Sequence, residues 1–246
     1  SDMKSGLAVM AFVLGELAES GCVPQKTIVF AGTCDEERGG LGAKEIIKEY
    51  PDLFPELLLI GEPTSCQAGV AQKGCIWLKL SVSGKTSHGA EPWQGINALE
   101  QGFGLLADLR EELKREEHPV LGRSTLQITM AEGGIAPNMT PDRAKFLADI
   151  RIVPPLNEKE VLNRLECLMQ KRCEVYNGGL AFVPEITNYR MPAETGPENQ
   201  WLHRLKGFIG DDAGETGINY FTDASILLTA WPDSPALLFG PGEPQM

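Results

Sequence analysis

The chain has 246 residues, 42% of them hydrophobic, with 34 acidic against 22 basic side chains and a net charge of −12. That is enough apolar material for a sizeable core and one or two domains. The negative balance argues against nucleic acid or an anionic membrane surface as partner, since both are held by basic patches. Six cysteines (22, 34, 66, 75, 167 and 173) include no Cys-x-x-Cys pair. No apolar run reaches membrane-spanning length and no signal peptide is recognisable. The expectation is a cytoplasmic protein with reduced thiols.

In chain order, Lys4 to Leu17 is apolar nearly all round, which suits a helix buried against a sheet. Lys26 to Gly32 is a short β-branched, apolar run of the kind that forms a buried parallel strand. It leads into Thr33-Cys34-Asp35-Glu36-Glu37-Arg38-Gly39-Gly40, after which Leu41 to Tyr50 reads as a helix with Ala43, Ile46 and Ile47 facing inward. Three consecutive acids thus fall at the carboxyl end of a strand, where open α/β sheets place their ligands. The plainer alternative is a solvated acidic turn. Leu57 to Ile60 reads as a second buried strand, closed by Gly61-Glu62-Pro63-Thr64, so Glu62 also falls at a strand's end.

From about Gly74 the pattern becomes one-sided. Ile76, Leu78, Leu80 and Val82 alternate with Trp77, Lys79 and Ser81. Asn97 to Glu116 is an amphipathic helix presenting Leu99, Phe103, Leu106, Leu109 and Leu113. Two more alternating runs follow, one through Leu126, Ile128 and Met130, the other through Ala144, Phe146, Ala148 and Ile150. Asn157 with Glu160 makes a capping box for a helix carrying Val161, Leu165, Leu168 and Met169. Ala181 to Ile186 is a last, weaker strand. This β-α-β-β-α-β order is that of a ferredoxin-like unit.

After Asn188 the chain returns to helix over Glu198 to Gly210, passes a Gly/Asp-rich stretch to Gly217, and ends on a short strand, Ala236 to Phe239. This tail is too short to be a domain and completes the first sheet. The predicted fold is therefore an α/β, mostly parallel catalytic domain (1–72 and 187–246) with an inserted α+β ferredoxin-like lid or dimerisation domain (73–186).

Asp2, Glu36, Glu37 and Glu62 all fall at loop positions flanking the same inferred sheet. Convergent carboxylates suit a divalent metal, because the cation pulls down their pKa values and offsets their repulsion. Together with Gly84-Lys85-Thr86-Ser87-His88, Gly133-Gly134-Ile135-Ala136-Pro137-Asn138, Asp149-Ile150-Arg151 and Phe239-Gly240-Pro241-Gly242, these motifs stand in family order. The chain resembles, along its whole length, the co-catalytic dizinc metallopeptidase/deacylase family. That family includes aminoacylase, acetylornithine deacetylase, succinyl-diaminopimelate desuccinylase and the glutamate carboxypeptidases. The compact insert looks most like the deacetylase/desuccinylase branch.

The resemblance implies that Asp2 bridges two zinc ions while Glu37 and Glu62 each ligate one, cobalt or manganese being alternatives. It implies that Glu36 is the general base on the attacking water, and that His88 reaches from the lid into a dimer partner's site to donate to the oxyanion. An exposed turn histidine is the plainer reading of His88. Asn138 is implied as a lid contact to substrate, and Arg151 as the ligand of a substrate carboxylate, a surface ion pair being its alternative. Thr222, with Asp223, matches a family motif that implies a place near substrate, plain loop chemistry being the alternative. His118 and His203 read as surface or helix residues.

Two family histidines, one before the Asp2 motif and one after the Gly-Pro-Gly loop, are not in the chain, which looks truncated at both ends. The expectation is a fragment that binds metal weakly and leaves apolar sheet surface uncovered. The implied activity is removal of an acetyl or succinyl group from an amino acid's amine, as in amino-acid biosynthesis. The substrate is then a small N-acyl amino acid and the assembly a homodimer through the lid. A carboxypeptidase or dipeptidase of the same family is the nearest rival, and a non-catalytic dimeric binding scaffold the alternative from another class.

Overall fold

The computed structural model describes residues 3–210 and 214–243. The chain divides into two compact units, one formed by residues 1–72 and 193–246, the other by 73–192.

The first unit begins with α1 (Lys4–Glu19), α2 (Leu41–Glu49), β1 (Leu58–Ile60) and β2 (Ala68–Gln72). Helix α1 forms as its sequence predicts, but its surroundings differ from expectation. Only Gly6 is buried, whereas Val9, Phe12 (68% exposed) and Val13 face outward. The reason lies in the next segment. Residues 26–32 belong to no strand, and Ile28, Val29 and Phe30 are exposed. β-Branched residues favour an extended chain, but a strand exists only as a ladder with a neighbour, and among the described residues this one has none. Without that sheet, α1 has no layer to lie on. Strand β2 has the opposite history: Ala68-Gly69-Val70-Ala71-Gln72 carries little β-propensity, yet it is buried throughout.

The second unit contains β3 (Gly74–Ser83), α3 (Ala98–Leu113), β4 (Glu117–His118), β5 (Gly122–Arg123), β6 (Thr125–Gly133), β7 (Arg143–Ile152), α4 (Glu158–Val175) and β8 (Ala181–Arg190). Four of these strands form an antiparallel sheet in the order β6-β7-β3-β8, the ferredoxin-like arrangement. Even-numbered residues of β3 and β7 face the core, where Ile76, Leu78, Leu80, Phe146, Ala148 and Ile150 meet α3 and α4. The buried stripe of α3 is Ala98, Gly102, Leu105, Leu106, Leu109 and Leu113. Phe103, expected inside, is exposed and sets its ring edge-on to Phe146, 5.1 Å between centroids. Met130 also leaves the expected face. A bulge between Ile128 and Met130 inserts one residue, so Met130 stands opposite Leu147 and is 63% exposed. Strand β8 runs to Arg190, four residues beyond the alternation seen in the sequence, and pairs with β3 over nearly its whole length.

The capping box at α4 is present: Asn157 Oδ1 accepts from the Glu160 N–H at 3.1 Å, and the Asn157 N–H donates to Glu160 Oε2 at 3.0 Å. His118 is buried, not on the surface. The β4–β5 hairpin folds it inward, and its Nδ1 accepts from the Val120 and Leu121 N–H groups. On α4, Arg164 donates to the Glu116 carboxylate and to the Glu112 carbonyl. These bonds hold the Glu116 carboxyl below its ordinary value of 4.5. A depressed carboxyl stabilises the fold above its unfolded pKa and loses that contribution as pH falls through the folded one. Glu116→Gln is therefore expected to lower urea stability at neutral pH and to match the wild type at low pH, where both side chains are neutral.

The remainder of the first unit is β9 (Ala193–Glu194), α5 (Gln200–Ile209), β10 (Glu215–Ile218), α6 (Ala224–Ala230) and β11 (Ala236–Leu238). Its sheet has the order β1-β11-β2-β10. β1 lies parallel to β11 and β10 parallel to β2, while β11 and β9 each run antiparallel to β2. The class is α/β with a mixed sheet, and part of the Gly/Asp-rich stretch before β10 lies outside the described residues. Among those residues no helix is long and apolar enough to cross a membrane.

Candidate active site

The three consecutive acids do different work. Asp35 takes a left-handed backbone (φ 65°), which aspartate tolerates. Its carboxylate accepts from the Gly39 N–H at 3.0 Å and the Leu41 N–H at 3.4 Å, and its carbonyl from the Gly40 N–H at 2.6 Å. Asp35 therefore builds the turn. Glu36 is half-buried, with one carboxylate oxygen out of solvent, and Glu37 is exposed. The turn is held against the start of α2, where a Cβ on Gly42 would lie 2.5 Å from the Cys34 nitrogen.

Glu62 sits just past β1 in a buried run, Gly61 to Thr64, and is 5% exposed. Two glycines let the chain pack against it. A Cβ on Gly6 of α1 would run into the Gly61 carbonyl, and one on Gly240 would lie 2.6 Å from the Glu62 carbonyl oxygen. The loop after Glu62 is latched to the loop after β11. The Thr64 and Cys66 N–H groups both donate to the Gly240 carbonyl at 3.1 Å, and the Ser65 N–H donates to Gly242 at 2.8 Å. The Gly-Pro-Gly segment thus holds the loop that follows Glu62 and packs against the Glu62 carbonyl, and the first turns of α1 abut Gly61 beside it. Asp2 lies outside the described residues.

In the second unit, His88 and Asn138, 50 positions apart, are brought together. The Gly89 N–H donates to the Asn138 carbonyl at 2.8 Å, and His88 pairs with Met139 in an antiparallel bridge. Both side chains are exposed. The Ala90 N–H donates to His88 Nδ1 at 3.2 Å, so in the neutral ring the proton sits on Nε2, which is then a donor. Arg151 takes the arrangement foreseen as its alternative, an ion pair. Its Nε and Nη2 donate to the Asp149 carboxylate at 2.6 and 2.9 Å, and the Trp77 indole donates to the same carboxylate. Beside it, burial pushes the Cys75 thiol up to about 12, so this cysteine is inert. Burial and the Arg151 charge lower Lys73, whose ammonium donates to the Arg123 carbonyl at 2.9 Å.

Thr222 is fully buried in the first unit. Its hydroxyl donates to Gln72 Oε1 at 2.6 Å and accepts from the Ala224 N–H at 3.1 Å. These bonds tie the start of α6 to the end of β2. Gln72 carried no sequence signal, because β2 itself is not legible as a strand.

Residues 70–177 match the peptidase dimerisation domain. Acetylornithine deacetylase from Shigella sonnei is 29% identical over 98% of the chain. The chain is thus similar, over its dimerisation-domain segment and along its length, to metallopeptidases and deacylases. Solved peptidase structures share its fold. An aminopeptidase from Bacillus cereus aligns over 96% of the chain with a TM-score of 0.75 at 20% identity, and a tripeptidase from Staphylococcus aureus aligns over 96% with a TM-score of 0.68. The chain spans 62% of the deacetylase's length and 62% and 61% of these two structures.

A divalent ion fits the donor chemistry of Glu37 and Glu62, since hard cations prefer carboxylate oxygens and a buried carboxylate such as Glu62 favours a countercharge. Among the described residues no three of His, Cys, Asp and Glu come together as a metal cluster.

Proposed function

We propose that the protein is a metal-dependent amidohydrolase that cleaves the amide of an N-acyl amino acid, of the acetylornithine or succinyl-diaminopimelate type. The observation that carries this is the 29% identity to acetylornithine deacetylase over 98% of the chain. In this reading Asp2, Glu37 and Glu62 hold two divalent ions, zinc in the first instance. Bound there, the ions acidify water and polarise the amide carbonyl. Glu36, next to the Asp35 that closes the turn, takes the proton of the attacking water and passes it to the departing amine. His88, with Nε2 protonated, donates to the oxyanion. Asn138 stands beside it as a lid contact. Arg151 receives a substrate carboxylate in competition with Asp149, and Thr222 orders the loop that faces substrate. The working unit is a homodimer through the second unit, which carries most of the matched segment 70–177 and whose sheet has β6 and β8 at its edges.

The test is turnover of N-acetylornithine, N-succinyl-diaminopimelate and a set of di- and tripeptides by the zinc-, cobalt- or manganese-loaded full-length protein. Deacylation faster than peptide cleavage is expected. Peptide cleavage alone would assign the protein to the peptidase side of the family.

A further inference from the structure

Three segments meet beneath His88. The Gly84 N–H donates to the Asp142 carbonyl at 2.7 Å, the Thr140 N–H to the Ser87 carbonyl at 2.9 Å and the Gly89 N–H to Asn138 at 2.8 Å. On the other side Lys85 and Ile96 exchange two backbone bonds, at 3.0 and 2.7 Å. The histidine loop is therefore zipped to the asparagine loop along one edge and to the start of α3 along the other. One side-chain contact crosses this seam. The Ser87 and Thr140 hydroxyls stand 2.8 Å apart, with Thr140 buried and Ser87 half-buried. Gly95 is shaped around that contact, since a Cβ there would lie 2.5 Å from Ser87 Oγ.

We propose that Ser87 and Thr140 are positioning residues: their hydroxyl–hydroxyl bond fixes the backbone on either side of His88 and Asn138, so that the two side chains act as one preset pair. The physical reason is local. The imidazole is exposed, so its direction is set by the Ala90 N–H at Nδ1 and by the backbone beneath. A seam held by backbone bonds alone can breathe. A hydroxyl pair with one buried member resists that, because opening it strands the buried Thr140 hydroxyl. The inference rests on the catalytic reading of His88, but one arm of its test does not.

Thr140→Val removes the hydroxyl at nearly constant shape, Ser87→Ala does so from the other side, and Thr140→Ser restores it. In nitrogen-15 spectra of the three histidines, wild type and Thr140→Ser are expected to show His88 as the Nε2–H tautomer. Thr140→Val and Ser87→Ala are expected to show an averaged ring. With the substrate turned over fastest in the panel above, Thr140→Val lowers kcat about tenfold with KM within about twofold. In a His88→Ala background it has no further effect. An unchanged His88 tautomer in both hydroxyl-free variants overturns the pinning. Losses of Thr140→Val and His88→Ala that simply multiply overturn the route through His88. Full activity in His88→Ala overturns the catalytic reading instead, and the spectra still decide the pinning.

Discussion

Glu36→Gln lowers kcat by about a thousandfold, within the range for loss of a general base and equal to about 4 kcal/mol of barrier. The substitution keeps shape and hydrogen-bonding capacity, so what disappears is the ability to take a proton. The turn gives the variant its meaning. Asp35, one position earlier, supplies the carboxylate that closes the loop onto Gly39 and Leu41, so Glu36→Gln leaves the turn intact while Asp35→Asn loosens it. The expected pattern is wild-type metal content and melting temperature with collapsed turnover, measured by elemental analysis, thermal scan and steady-state kinetics. Undiminished turnover removes Glu36 from the chemistry. A wild type that turns over nothing in the panel favours the scaffold reading.

How much of this was legible beforehand divides along physical lines. In the second unit the strands of the four-stranded sheet alternate in sequence, so alternation reported them and the capping box reported α4. The bulge in β6 was not legible because nothing in Ile128, Thr129 and Met130 marks an extra residue. In the first unit burial is two-sided or absent, and residue type misleads. The β-branched run at 26–32 reads as a strand and lacks a partner. β2 carries no strand signal and yet pairs with β11, β10 and β9, using Gly69 because a Cβ there would meet Leu238. The motifs located the candidate site, but a row of acids does not say which one folds back onto its own turn. That choice depends on the left-handed backbone at Asp35. His118 misled for a related reason: a two-residue hairpin strand turns it inward, and hairpins that short leave no periodicity.

Phe146→Ala is expected to cost the second unit about 3–5 kcal/mol, the usual range for deleting a buried aromatic. The ring is 1% exposed on β7, opposite Leu80 of β3 and Ala131 of β6. Its place on the helix side exists only because α3 has glycine at position 102, where a Cβ would run into the ring. Phe103 closes the edge. Gly102→Ala is therefore expected to destabilise as well, although alanine favours a helix interior by about 1 kcal/mol. The double variant should lose less than the two single losses combined, because the new methyl occupies part of the vacated space. Hydrogen exchange of the β3 and β7 amides reads these free energies within the unit itself. The loops bearing His88 and Asn138 hang from the ends of these two strands, so their protection should fall in step. Strict additivity would mean that Gly102 and Phe146 do not share one packing site.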